Sequence, residues 1–165
     1  MKQRFTLTLI GAAVLFLLHG PRVNADKVYH SERLDLWLTQ QGEDEGHPEL
    51  RSGQVVNIHP NGPVNGALER YMINGAKPNF DYQVKIYAFS DLECAGDPSL
   101  AIPTDLLETN SKGNAHGQGY FSRADLDPFS GAIVGVFWGL VDEQGPGVED
   151  DVIFYQTDCT VVTID

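Results

Sequence analysis

Cations are scarce in this 165-residue chain: 11 lysines and arginines stand against 23 aspartates and glutamates, a net charge of −12. That shortage argues against nucleic acid and anionic membrane surfaces as partners, because both are bound by Lys and Arg neutralising phosphate. Cysteine is nearly absent as well. Only Cys94 and Cys159 occur, and neither has a second cysteine at the C-x-x-C spacing of redox and zinc sites. The chain contains no G-x-S-x-G, H-E-x-x-H, G-x-x-x-x-G-K or G-x-G-x-x-G, so the local signatures of serine hydrolase, zinc protease and nucleotide chemistry are missing. It also has no N-x-S/T glycosylation acceptor. No segment keeps a helical period for more than two turns. The longest apolar run, Phe5 to Leu18, is about 14 residues, short of the roughly 20 that span a membrane.

What is present begins with that run. A basic head, Met1-Lys2-Gln3-Arg4, precedes it, Gly20-Pro21 breaks it, and Val23-Asn24-Ala25 offers small side chains at the positions a signal peptidase reads. The pattern predicts a signal peptide over residues 1–25 and a single secreted domain over 26–165, with no membrane span once the signal is cleaved. Cleavage would remove Lys2, Arg4 and Arg22 and leave 8 basic against 23 acidic residues, net −15. In an oxidising compartment the two cysteines are expected to form a disulfide, Cys94 to Cys159. It would close a loop of about 65 residues and contribute roughly 4 kcal/mol by restricting the unfolded chain.

The mature chain reads as short strands between turn residues. From Tyr82 to Phe89, Tyr82, Val84, Ile86 and Ala88 alternate with Gln83, Lys85 and Tyr87. Leu34, Leu36 and Leu38 alternate with Asp35 and Thr39, and Gln54 to His59 sets Val56 and Ile58 on one side. Val64 to Ile73 slips in its alternation near Glu69-Arg70, which predicts a bulge there. Further strands are expected over Ala115 to Ser122, over the apolar Ala132 to Val141, buried on both faces, and over Val152 to Ile164. A short helical turn is expected in the 98–108 region. Asn61-Gly62, Asn65-Gly66, Asn74-Gly75 and Lys112-Gly113-Asn114 supply the positive φ of tight hairpins. The pattern predicts an all-β fold, an immunoglobulin-like Greek-key β-sandwich of about seven strands, with a small β-barrel or jelly roll as the alternative.

Gly62-Pro63-Val64-Asn65-Gly66-Ala67-Leu68, then Lys77-Pro78-Asn79-Phe80-Asp81-Tyr82-Gln83-Val84, then a Cys, then Thr109-Asn110-Ser111-Lys112-Gly113-Asn114-Ala115 form an ordered series. It resembles secreted bacterial Greek-key β-sandwich domains of the chordin-like repeat type. The resemblance implies fold and location and carries over no catalytic residue. The same sandwich plan is distantly similar to copper/zinc superoxide dismutase, but the paired H-x-H ligands of that chemistry do not occur.

Two groups of residues offer chemistry. His47, His59 and His116 supply imidazoles, and the acidic loops supply oxygen ligands through Glu43, Asp44, Glu45, Glu149, Asp150 and Asp151. Together they are the candidates for a metal site, with calcium the cation that suits the carboxylates, although no D-x-D-x-D-G loop is present and solvated acidic loops are the plainer reading. Trp37, Tyr71, Tyr87, Tyr120 and Tyr155 include aromatics placed to point away from the apolar faces, where they would hold an extracellular glycan, ligand or protein, although covering the second face of the sheet or packing under loops is the plainer reading. The reading that follows is an exported module that binds, adheres or supports without catalysis and needs no cofactor. The alternatives are a secreted metal-dependent enzyme or hydrolase, and a calcium-stabilised module using the acidic loops.

Overall fold

The computed structural model describes residues 29–60, 66–142 and 151–164. Strands β1 (Tyr29–Leu38), β2 (Ser52–Pro60), β3 (Gly66–Asn74), β4 (Asp81–Phe89), β5 (Leu100–Glu108), β6 (Ala115–Ser122), β7 (Ile133–Asp142), β8 (Ile153–Thr157) and β9 (Thr160–Thr163) are accompanied by two short helices, α1 (Gln40–Asp44) and α2 (Arg123–Leu126). A 3₁₀ turn, Asp127–Phe129, continues α2.

All pairings are antiparallel, in the order β5-β4-β7-β8-β1-β2-β3-β6, with β9 adding to β7. The two ends of that order, β5 and β6, lie side by side, so the sheet closes nearly into a barrel. Side chains bridge their seam. The Asp105 carboxylate on β5 accepts the Gln118 N–H of β6 at 2.7 Å, and the Tyr71 hydroxyl on β3 lies 2.8 Å from Thr104 Oγ1 on β5. The all-β expectation holds, the barrel alternative is the one that fits, and the strands number nine among the described residues.

Alternation along each strand sets what faces inward. Tyr82, Val84, Ile86 and Ala88 of β4, Val136, Trp138 and Leu140 of β7, and Leu34, Leu36 and Leu38 of β1 all belong to one core around the barrel axis. On the outer face of β4, Tyr87 and Phe89 join Val141 in a second, smaller cluster with Cys94, Ala101, Phe137 and Ile153 against it. The Cys94–Cys159 disulfide is formed and ties the segment after β4 to the β8–β9 connection.

Three local expectations are corrected. Residues 98–108 hold strand β5 rather than a helical turn, because pairing with β4 from Asp81↔Glu108 to Ala88↔Leu100 outweighs the turn signal of Pro98. The last strand is two, β8 and β9, interrupted at Asp158-Cys159. Near Glu69 the ladder is unbroken on both sides, with Glu69 opposite Asn57 and Gly119. The slip in alternation there marks a carboxylate pointing inward. Register shifts occur instead at Val84/Lys85 and Leu140/Val141. The turns at Asn61-Gly62 and Asn65 and the signal segment fall outside the described residues, while Gly75 and Gly113 do take positive φ, 84° and 72°.

Candidate functional site

The barrel is filled at one end and hollow at the other. At the filled end α1 acts as a stopper. Thr39 caps it by accepting the Gly42 N–H at 3.0 Å, and Gly42, having no side chain, lies against Phe154. The chain then folds His47 inward, where its ring stacks on Phe154 at 3.9 Å and its Nδ1 lies 2.8 Å from the Tyr82 hydroxyl. Phe80, Tyr82 and Tyr155 surround the imidazole edge-on. Burial, and to a lesser degree the nearby Lys77 ammonium, hold the His47 pKa down at about 4, against a smaller opposing pull from Asp142. Burial also raises the Tyr155 phenol to about 12 and pushes Tyr82 higher still. The Tyr155 hydroxyl donates to the Pro48 carbonyl at 2.6 Å.

At the other end lies a cavity of about 490 Å³, lined almost wholly by carbon. Ile86 and Ala88 of β4, Leu100 and Ile102 of β5, Val134 and Val136 of β7 and Val162 of β9 form much of its wall. Leu126 and Phe129, from α2 and the turn after it, stand at its mouth. Ser122 and Asp125 fix this mouth segment through a capping box in which Asp125 accepts the Ser122 N–H at 2.8 Å and hydroxyl at 2.7 Å. A volume of this size suits a small organic molecule.

The inner limit of the cavity is polar. Glu69 of β3 and Asn57 of β2, cross-strand neighbours, both line it and both are otherwise buried. Glu69 Oε2 accepts the Trp138 indole N–H at 2.9 Å and the Tyr71 hydroxyl. Burial raises the Glu69 pKa, and these two hydrogen bonds only partly offset it. Tyr71 is pushed up in turn, first by burial and then by the Glu69 charge. Gly119 makes room for the arrangement, since a Cβ there would stand 2.7 Å from the Tyr71 hydroxyl. A carboxyl group thus sits where an apolar pocket meets a packed core, with two neutral donors on one oxygen.

The structure scatters the residues singled out from the sequence. Glu43, Asp44, Glu45 and Glu49 are exposed on and after α1, while His47, expected among them as a ligand, is turned away into the aromatic stopper. The ring is held there by stacking on Phe154 and by the Tyr82 hydroxyl, and burial keeps it neutral. His116 is exposed on β6 opposite Met72, and His59 pairs in register with His30. Glu149 and Asp150 lie outside the described residues. Asp151 is inside the fold, 2.6 Å from Lys85 Nζ and accepting the Tyr87 hydroxyl at 2.7 Å, so its charge is already matched. Among the described residues, no three His, Cys, Asp or Glu side chains converge as a metal-binding group.

Of the aromatics, Trp37 and Tyr120 are exposed, at 43% and 65%. Tyr71, Tyr87 and Tyr155 are buried: Tyr71 and Tyr155 point into the barrel, whereas Tyr87 lies on its outer face, where Asp151 and Phe137 cover it. No functional role was read for Glu69, Trp138 or Asn57 in the sequence. The available signal was the broken alternation at Glu69, a charged residue on the otherwise apolar inward face of β3.

No protein-family model matches the chain, and neither a curated protein nor a solved structure does. The chemistry of the site therefore rests on its own geometry.

Proposed function

We propose that this is an exported binding protein whose barrel interior holds a small, largely apolar molecule, oriented by Glu69 and Asn57 at the inner end of the cavity. The observation that carries the reading is the cavity itself: about 490 Å³ of carbon-lined space ending on a buried carboxyl group. An apolar cavity with a few convergent polar groups has the usual chemistry of a small-molecule site, in which the walls supply affinity and the polar groups supply orientation. Exposed Leu100 and Phe129 at its mouth extend the apolar surface outward. Export is supported by the signal-like first 25 residues and by the Cys94–Cys159 bond, which suits an oxidising compartment. Among the described residues, no helix is long and apolar enough to cross a membrane.

The test is occupancy. N-phenyl-1-naphthylamine, a neutral dye that brightens in apolar surroundings, should bind at about one equivalent per chain. Ala88→Trp, which fills the wall, should abolish that signal while the protein stays folded. Equal dye binding by the wild type and by a folded Ala88→Trp protein would defeat the reading.

A further inference from the structure

Resting on the cavity as a ligand site, we propose that its ligand is an apolar amine whose ammonium group pairs with the Glu69 carboxylate. The starting point is a missing counter-charge. Glu69 and Asp125 line the cavity, and no Lys, Arg or His is among its described lining residues. The Tyr71 hydroxyl and the Trp138 indole N–H stabilise the carboxylate as hydrogen-bond donors, but both are neutral and both act on Oε2. When ionised, Glu69 has only these neutral donors to answer its charge, and a ligand that supplies a positive one gains a charge-assisted bond in largely apolar surroundings.

The other ligand classes fit less well. A carboxylate or phosphate would meet Glu69 at the inner end and Asp125 near the mouth, with no cation on the described wall to receive it. A neutral alcohol can fill the apolar space and hydrogen-bond to Asn57 or Glu69, yet it leaves the charge unmatched. An alkyl or aryl ammonium satisfies both halves of the site, carbon against the wall and charge against the carboxylate. The chain's net charge of −12 favours approach of a cation over an anion in the same way.

The other buried ionisable groups do not compete for this role. Asp151 is occupied by Lys85, and His47 is enclosed by aromatic rings at the opposite end of the barrel.

The experiment compares three probes of equal chain length, octylamine, 1-octanol and octanoate, by displacement of N-phenyl-1-naphthylamine and by Trp fluorescence at neutral pH. In the wild-type protein octylamine should bind at least tenfold more tightly than 1-octanol, and octanoate more weakly than either. In Glu69→Gln the ratio of octylamine to 1-octanol affinity should fall to about one, and a cooperative thermal melt reports separately that the variant is folded. The wild-type ranking needs no variant to fold. Binding of 1-octanol as tightly as octylamine, a preference for octanoate, or an amine advantage that survives in Glu69→Gln would each overturn the inference while leaving the cavity a ligand site. Failure of the dye and all three probes to bind would remove both.

Discussion

The two ends of this barrel are built from the same strands, yet one is solid and the other is hollow. At the solid end β3 contributes Tyr71 and Ile73, β4 contributes Tyr82 and Val84, and β7 contributes Leu140, all nearly inaccessible to solvent. Toward the hollow end the same strands offer Ala67, Ala88 and Val134, and these line the cavity. Strand pairing is shared, so the difference comes from small side chains at particular inward positions and from the α1 stopper, which closes one end only. Large side chains exclude the space that a ligand could use, and small ones leave it without breaking a ladder hydrogen bond. Glu69 and Trp138 stand at the boundary, where a carboxyl can be held by donors on one side and open onto carbon-lined space on the other.

The sharpest way to break the comparison is to truncate one apolar side chain to alanine at each end. Leu140→Ala should lower unfolding free energy by about 2–5 kcal/mol, because it opens a void in a packed region. Val134→Ala, whose side chain borders existing space, should cost less than about 1 kcal/mol. Urea denaturation of the two variants checks this, and equal losses would mean that the ends are packed alike.

The stopper should also make stability depend on pH. His47 has a folded pKa of about 4, below the ordinary histidine value of 6.5, so between those values the unfolded chain takes up a proton that the folded protein refuses. Its contribution to stability is therefore complete above pH 6.5, falls as pH drops toward 4, and is lost below that, a change of roughly 3 kcal/mol. Denaturation curves at pH 7, 5.5 and 4 should show this fall in the wild type and a shallower one in His47→Gln.

Adding volume reverses the contrast. Val84→Phe should destabilise by about 1–3 kcal/mol through overpacking, whereas Ala88→Phe should be tolerated because the cavity receives the ring. Thermal melts of both variants distinguish the ends, and loss of dye binding should accompany only the second.

The smallest effect expected is at the boundary. Since burial raises the Glu69 pKa above the ordinary glutamate value of 4.5, the ligand-free protein loses stability as pH rises through that value, where the unfolded chain ionises first. Glu69→Gln should then be more stable than the wild type at pH 7, by about 1 kcal/mol, with the gap narrowing near pH 4. A Gln variant less stable than the wild type at both pH values would show that the carboxylate contributes to the packing of the apo protein.

Much of the strand content was legible. β6 falls at Ala115–Ser122, as expected, and β4 begins one residue before its expected start, at Asp81. Alternating burial is written residue by residue, and at these segments local preference and tertiary environment agree. The site was legible only as an anomaly. Glu69 disturbed the pattern of β3, and a bulge and an inward carboxylate leave the same trace in a sequence, since both break period two. What separates them is the partner across the ladder, Asn57 on one side and Gly119 on the other, and that is not local information.

By itself the sequence determined the acidic charge, the β-strand alternation, the turn glycines and the capacity for one disulfide, because each depends on residue type or on neighbours along the chain. Only the tertiary structure decided that the sheet curls until β5 meets β6, that His47 and Asp151 are enclosed within the fold, and that small side chains from β3, β4 and β7 gather at one end. Those outcomes depend on which residues far apart in the chain face one another. The cavity and its buried carboxylate exist only once they do.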